Sequence, residues 1–185
     1  MKINLFDGDK VRLRGIELSD LDSIMKNWNN LKLRQFLSSP MPFSREEEEE
    51  WIKKTWEERR KGQAYQFAIE HKETKEFLGT AGLFDFDNFA RSAELGIAIH
   101  AENNWGKGYG TDTMKVLLKF GFDYLNLNRI QLRVFDFNIR GISTYKKIGF
   151  IEVGKHRKAF FKDGEYHDVI FMDILKEEWK KDNQE

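Results

Sequence analysis

Apolar positions along this 185-residue chain change their spacing repeatedly, and each change marks an element. Val11 and Leu13 alternate within 10–16 as a first strand. Leu21, Ile24, Met25 and Trp28 then recur at helical spacing, with Ser19 as the expected cap and Asp20 and Asp22 suited to the positive first turn. LKLRQFL (31–37) is expected as a short second helix. Pro40 and Pro42 punctuate the chain before Ser44, which with Glu47 makes the capping-box pattern of a helix over 45–61 that Gly62 ends. AYQFAIEH (64–71) and EFLGTAGLFDF (76–86) are strands joined by the polar turn KETK, and SAELGIAI (92–99) is a further strand. Over 111–125, Met114, Leu117, Leu118, Gly121, Phe122 and Leu125 share one helical face. RIQLRVF (129–135) alternates cleanly, Ile139, Ile142, Tyr145 and Ile148 stripe another helix, and the tail folds as two antiparallel strands turned at Lys162-Asp163-Gly164-Glu165. Neither a repeat nor a linker divides 1–185, so one α/β domain is expected.

The chain is organised around ENNWGKGYGT (102–111), between the strand 92–99 and the helix that follows. Gly106, Gly108 and Gly110 alternate there, so backbone N–H groups can turn inward without Cβ interference just where a helix presents unpaired amides and its positive dipole end. That combination describes a pyrophosphate cradle; a glycine-rich turn without a ligand is the alternative. No GxxxxGK[ST] occurs, and the dinucleotide pattern GxGxxG fails because the third glycine comes one residue early. What remains, Trp105-Gly106-Lys107-Gly108-Tyr109-Gly110, resembles the [QR]xxGxG acetyl-CoA signature of the GNAT N-acetyltransferases, with Trp105 where Gln or Arg is usual. A second stretch, DFNIRGISTYKKIGF (136–150), resembles the family's N…S…Y-x-K-x-G-F pattern through Asn138, Ser143, Tyr145, Gly149 and Phe150.

The resemblance, which runs from about residue 10 to 176, implies a GNAT fold: a mixed central sheet of about seven strands, a splayed parallel pair, and helices on both faces. It implies acetyl-CoA as co-substrate, held by the backbone of Ile97, Ala98 and Ile99, by the loop Trp105, Gly106, Lys107, Gly108, Tyr109, Gly110 and Thr111, and by Asn138 and Tyr145. Tyr145 would protonate the departing thiolate, a hydrogen-bonded, half-buried tyrosine being the bland reading. Glu94 would order a water that accepts the substrate proton, or would simply pair with Arg91 or Arg129.

Composition narrows the chemistry. Lys plus Arg number 31 and Asp plus Glu 31, so no global basic field favours nucleic acid. The absence of cysteine excludes disulfides, thiolate metal sites and a cysteine acyl-enzyme, and the resemblance carried by the two motifs implies direct transfer in a ternary complex. His71, His100, His156 and His167 lack metal-site spacing, so no metal is expected. No apolar run approaches the roughly 20 residues that span a bilayer, and the start lacks a signal-peptide core; a cytoplasmic protein without membrane contact is expected.

The acceptor is an amine on every reading. RSAELGIAI, DYLNLNRIQLRV and FFKDGEYHDV resemble spermidine N-acetyltransferases, whereas WGKGYGT and the same tail also resemble ribosomal-protein N-terminal acetyltransferases. A polyamine needs carboxylates spaced along a channel, for which Glu46 to Glu50, Asp85, Asp87 and Glu94 are candidates; the glutamate run is otherwise a solvated helix start. A protein N-terminus needs a broader groove, and an aminoglycoside or another small amine is a third possibility. Phe160, Phe161, Tyr166 and Phe171 are expected in the core, or else as substrate wall. Trp51 and Trp56 fit helix packing or a homo-oligomer interface equally. A non-catalytic CoA-binding sensor on the same fold is the alternative function.

Overall fold

The structure, a computed structural model, describes residues 4–37, 39 and 41–182; Pro40 lies outside the described residues. Seven strands form one sheet in the order β1-β2-β3-β4-β5-β7-β6: β1 Val11–Arg14, β2 Tyr65–His71, β3 Phe77–Asp87, β4 Ser92–Ile99, β5 Arg129–Phe135, β6 Ile151–Lys162 and β7 Glu165–Leu175. Every neighbouring pair is antiparallel except β4 and β5. That parallel pair is joined only at Ser92, Ala93 and Glu94 against Arg129, Ile130 and Gln131, so the strands part beyond Glu94. The expected mixed sheet with a splayed parallel pair is therefore present.

Helices cover both faces. α1 Leu21–Trp28, α2 Leu31–Arg34 and α3 Arg45–Lys61 lie on one, with Leu21, Ile24 and Ile52 packed on Ala68 of β2. α4 Tyr109–Lys119 lies on the other, where Met114, Leu117 and Leu118 join Leu83, Leu95, Ile130 and Met172 in the larger core. α4 runs on through a π-helical turn, Phe120–Tyr124; α5 is Ile139–Ile148 and α6 Lys176–Asp182.

Local chemistry explains most boundaries. Ser44 accepts from the Glu47 N–H at 3.1 Å while Glu47 accepts from the Ser44 N–H at 2.6 Å, and Gly62 ends α3 in the left-handed region. Ser19 does not cap α1. The chain enters through a short 3-10 turn, Leu18–Asp20, in which Glu17 and Asp20 cap reciprocally. Asp20 is buried because the Arg14 guanidinium holds both its oxygens, at 2.7 and 2.8 Å.

The five glutamates do not behave alike. Glu47 caps, Glu49 pairs with Lys53, and Glu46 and Glu50 face solvent, but Glu48 is only 4% exposed. Burial raises the pKa of its carboxyl, opposed by the Trp28 indole N–H and by Arg34. Arg34 is itself buried; it stacks over Phe43 at 4.8 Å and donates to the carbonyls of Ser39 and Met41. Trp51 and Trp56 are packed on the α1–α3 core, and the Trp56 indole donates to the Ile16 carbonyl at 2.7 Å, as helix packing requires. The expectation of a core position fails for Phe161 and Tyr166, whose tilted rings pack on each other in the open at the tip of the β6–β7 hairpin.

Candidate active site

The parting of β4 from β5 opens a cleft of about 840 Å³, continuous with the glycine loop and roofed by α2 and α5. Glu94, Ile97, Ala98, Ile99, Trp105, Gly106, Gly108, Tyr109, Gly110, Thr111, Asn138 and Tyr145 all line it. Residues 94–99, 105–111 and 138–145 thus meet, as expected. Lys107 is the exception. Its ammonium donates to Asn104 at 3.3 Å, and its carbonyl accepts from the Lys10 ammonium at 2.9 Å, so it shapes the loop from outside the cleft.

The loop has the geometry of an anion cradle. Gly106 (φ 76°) and Gly108 (φ 86°) sit in the left-handed region that side chains rarely adopt, and nothing lies within 4 Å of where a Cβ on Gly106 would point. Gly110 lies inside α4, and a Cβ there would meet Ile97 and Ile99 at ordinary contact distance. Backbone conformation therefore demands two of the three glycines. Asp112 fixes the cradle from behind: buried in the first turn of α4, it accepts N–H bonds from Asp9, Lys10 and Val11 at 3.1, 2.8 and 3.0 Å.

Strand register decides what β4 offers. The His100 N–H donates to the Leu78 carbonyl on β3, and Ala98 stands opposite Thr80, so alternation turns the Ala98 N–H and C=O toward β3. The polar groups of Ile97 and Ile99 consequently face the gap. The Ile99 carbonyl is already engaged by the Trp105 indole N–H at 2.7 Å. The Ala98 N–H and C=O are thus turned to β3, whereas the Ile97 N–H and C=O and the Ile99 N–H face the open side of the strand. Trp105, where Gln or Arg was the familiar choice, fastens the loop to the end of β4.

Asn138 is first of all the cap of α5, its Oδ1 accepting from the Gly141 N–H at 3.0 Å. Gly141 is needed for this, since a Cβ there would fall 2.7 Å from the Asn138 amide nitrogen. Tyr145, about two turns on, lines the cleft beside Phe150; burial pushes its hydroxyl up to about 12, with Arg140 opposing. Glu94, 8% exposed, pairs with neither Arg91 nor Arg129 but with Arg133 of β5, Nε to Oε1 at 2.8 Å; Arg129 instead faces Asp173.

Sequence reasoning passed over Phe36, Arg133, Phe135, Arg140 and Lys147, which also line the cleft, as does Phe160, expected in the core or else as substrate wall. Arg140 stacks 4.0 Å above Trp105 and Phe36 reaches across to Phe137, contacts between segments far apart in sequence that no spacing rule exposes.

Residues 10–151 match the acetyltransferase (GNAT) domain. The chain belongs to the GNAT acetyltransferase family. It is 29% identical over 171 residues to the uncharacterised N-acetyltransferase p20 of Bacillus licheniformis, covering 92% of this chain and 96% of that one. It is 33% identical over 102 residues to the putative ribosomal N-acetyltransferase YdaF of Bacillus subtilis, 55% of each chain. The crystal structure of Vibrio cholerae spermidine N-acetyltransferase, in complex with CoA and spermine, superposes with a TM-score of 0.81 at 30% identity over 92% of this chain and 98% of that one. The GNAT protein described here is an acetyl-CoA-dependent N-acetyltransferase. Among the described residues no group of side chains is arranged to hold a metal, and no helix is long and apolar enough to cross a membrane.

Proposed function

We propose that this chain, as a single acyltransferase domain in the cytoplasm, moves the acetyl group of acetyl-CoA directly to a primary amine. The observation that carries the proposal is the convergence of the glycine cradle, the one-sided edge of β4, Tyr145 and Glu94 on one cleft. The relatives support two acceptor classes, a polyamine such as spermidine and a protein N-terminus.

The cradle's N–H groups and the start of α4 hold the pyrophosphate, and Ile97 and Ile99 align the pantetheine arm, with the amide nitrogen of Asn138 in reach of the same cleft. The neutral amine attacks the thioester carbon; the C–N bond forms, the C–S bond breaks, and the ammonium proton leaves by a water ordered at Glu94. An alkylamine of pKa about 10 costs roughly 4 kcal/mol to present neutral at pH 7. Tyr145 donates its hydroxyl proton toward the departing sulfur. With the phenol at about 12 against a thiol near 8.5, complete transfer is uphill by at most about 5 kcal/mol, less where the open cleft admits solvent. Tyr145 therefore acts chiefly by hydrogen-bonding the developing thiolate, with the proton passing late.

Thiol release from acetyl-CoA, measured with spermidine, N-terminal peptides and an aminoglycoside, tests the reading. Saturable turnover with an amine supports it. CoA binding without turnover across the panel would favour a sensor.

A further inference from the structure

Resting on the acetyl-transfer reading above, we infer that the acceptor is the α-amine of an amino acid or peptide whose first side chain is large and apolar. Two features independent of each other point there: the walls of the cleft and the scarcity of bases in it.

The face of β4 bearing Ile97 and Ile99 is closed by α4, since a Cβ on Gly110 would touch both side chains. The acceptor must arrive on the opposite face, where Glu94 and Gly96 point and where Phe84 lies against Gly96. The walls on that side are Leu33, Phe36 and Leu37 from the α2 region and Phe135, Phe160 and Val169 from the β5–β7–β6 end of the sheet. Phe135 and Phe160 stack at 4.0 Å, making a continuous apolar surface.

The other carboxylates that a polycation could use lie outside the cleft lining, Glu46 and Glu50 facing solvent on α3. Glu47 caps α3, Glu48 is buried beside Arg34, and Glu49 pairs with Lys53. Asp87 accepts the N–H groups of Phe89 and Ala90, and Asp85 lines a separate depression between α3 and the end of β3. Glu94 is the one carboxylate among the described cleft-lining residues, and it faces Arg133; Arg140 and Lys147 make the lining net positive. A triply charged polyamine would meet apolar and cationic walls, whereas a singly charged amine with an apolar body fits them.

No histidine is among the described residues of the lining, and one oxygen of its single carboxylate, Glu94, already accepts from Arg133. An α-amine of pKa about 8 is roughly a tenth neutral at pH 7 without help.

Purified protein with saturating acetyl-CoA would be assayed against Phe-, Leu- and Met-headed tripeptides, Ser- and Asp-headed tripeptides, free L-phenylalanine and L-leucine, and spermidine. The expected kcat/KM for an apolar α-amine exceeds that of the polar-headed peptides by about tenfold or more and that of spermidine by at least as much; peptides against free amino acids identify the source. Phe160→Ala, on the wall away from the glycine loop, should reduce the apolar-over-polar ratio at least severalfold, Phe160→Leu should restore most of it, and circular dichroism should stay unchanged in both. Spermidine as the best acceptor, or equal rates for apolar and polar heads, would overturn the inference and leave acetyl transfer standing. Failure of every amine despite CoA binding would overturn the acetyl-transfer reading, and the inference with it.

Discussion

Glu94, in the last rung of the β4–β5 ladder, faces Arg133, two residues beyond its rung partner Gln131, across the two strands that part, Nε to Oε1 at 2.8 Å. Their side chains differ in surroundings: Glu94 is largely buried, whereas the Arg133 side chain is 52% exposed. Arg133→Met should therefore destabilise by only about 1 kcal/mol, below the 3–5 of fully buried pairs. Glu94→Gln removes the carboxylate proposed to order the accepting water and should lower kcat by about 10- to 100-fold, with acetyl-CoA KM within about twofold. Urea unfolding and initial rates separate the two effects; equal kcat for Glu94→Gln and wild type would leave the carboxylate a purely structural partner.

Tyr145→Phe should lower kcat by roughly 100-fold or more while acetyl-CoA KM and melting temperature change little. Because the wild-type hydroxyl loses its proton only near 12, the rate should show no falling limb from Tyr145 below about pH 10. The rising limb should instead follow the acceptor amine and move when the acceptor is changed. A variant with wild-type kcat would exclude the tyrosine from the reaction.

His100 predicts an acid-sensitive fold. It is 2% exposed, its Nε2 lies 3.3 Å from the Thr80 hydroxyl, its ring packs on Trp28 and Phe77, and burial pushes its pKa down to about 3. Between pH 6.5 and 3 the unfolded chain binds the proton and the folded chain does not, so stability rises with pH across that window and falls on acidification. The full span is on the order of 5 kcal/mol, of which about 2 are lost between pH 6.5 and 5. Unfolding midpoints at these two pH values should converge in His100→Gln relative to wild type.

Asp112→Ala should both weaken the cradle and unfold the protein more easily. Three backbone donors lose a charged acceptor, which costs about 2–4 kcal/mol, and the strap from Asp9 to Val11 no longer positions Lys10 against the loop. Acetyl-CoA KM should rise at least severalfold in any protein that stays folded. Gly108→Ala should raise the same KM through its left-handed backbone, whereas Gly110→Ala disturbs no backbone requirement, so a loss there reports on the bound pyrophosphate.

The strands and α3 were legible because they depend on near neighbours. Ser92–Ile99 and Arg129–Phe135 match their alternation end to end, and α3 has the limits its capping box and Gly62 dictate. Ser19 misled because the acceptor at that turn is chosen by Arg14, a residue on β1. Glu48 looked like one of five solvated glutamates; its burial depends on Trp28 of α1 and Arg34 of α2. The cradle and Tyr145 were visible as motifs, but which β4 groups face the gap follows from pairing with β3, and the aromatic walls follow from how α2 and β5–β7–β6 meet. Those are long-range facts without a local signature.

The one-sided edge of β4 has a thermodynamic meaning as well as a geometric one. From Leu95 onward the strand is a ladder on the β3 side alone, and whatever binds along Ile97 and Ile99 contributes rungs that the polypeptide itself does not make. Anything that binds the folded chain and not the unfolded one adds RT ln(1 + [L]/Kd), about 2.7 kcal/mol at a hundredfold excess over Kd. The resistance of this sheet to unfolding is therefore not a constant of the sequence; it rises and falls with the acetyl-donor supply, and so couples the protein's survival to the metabolite it consumes.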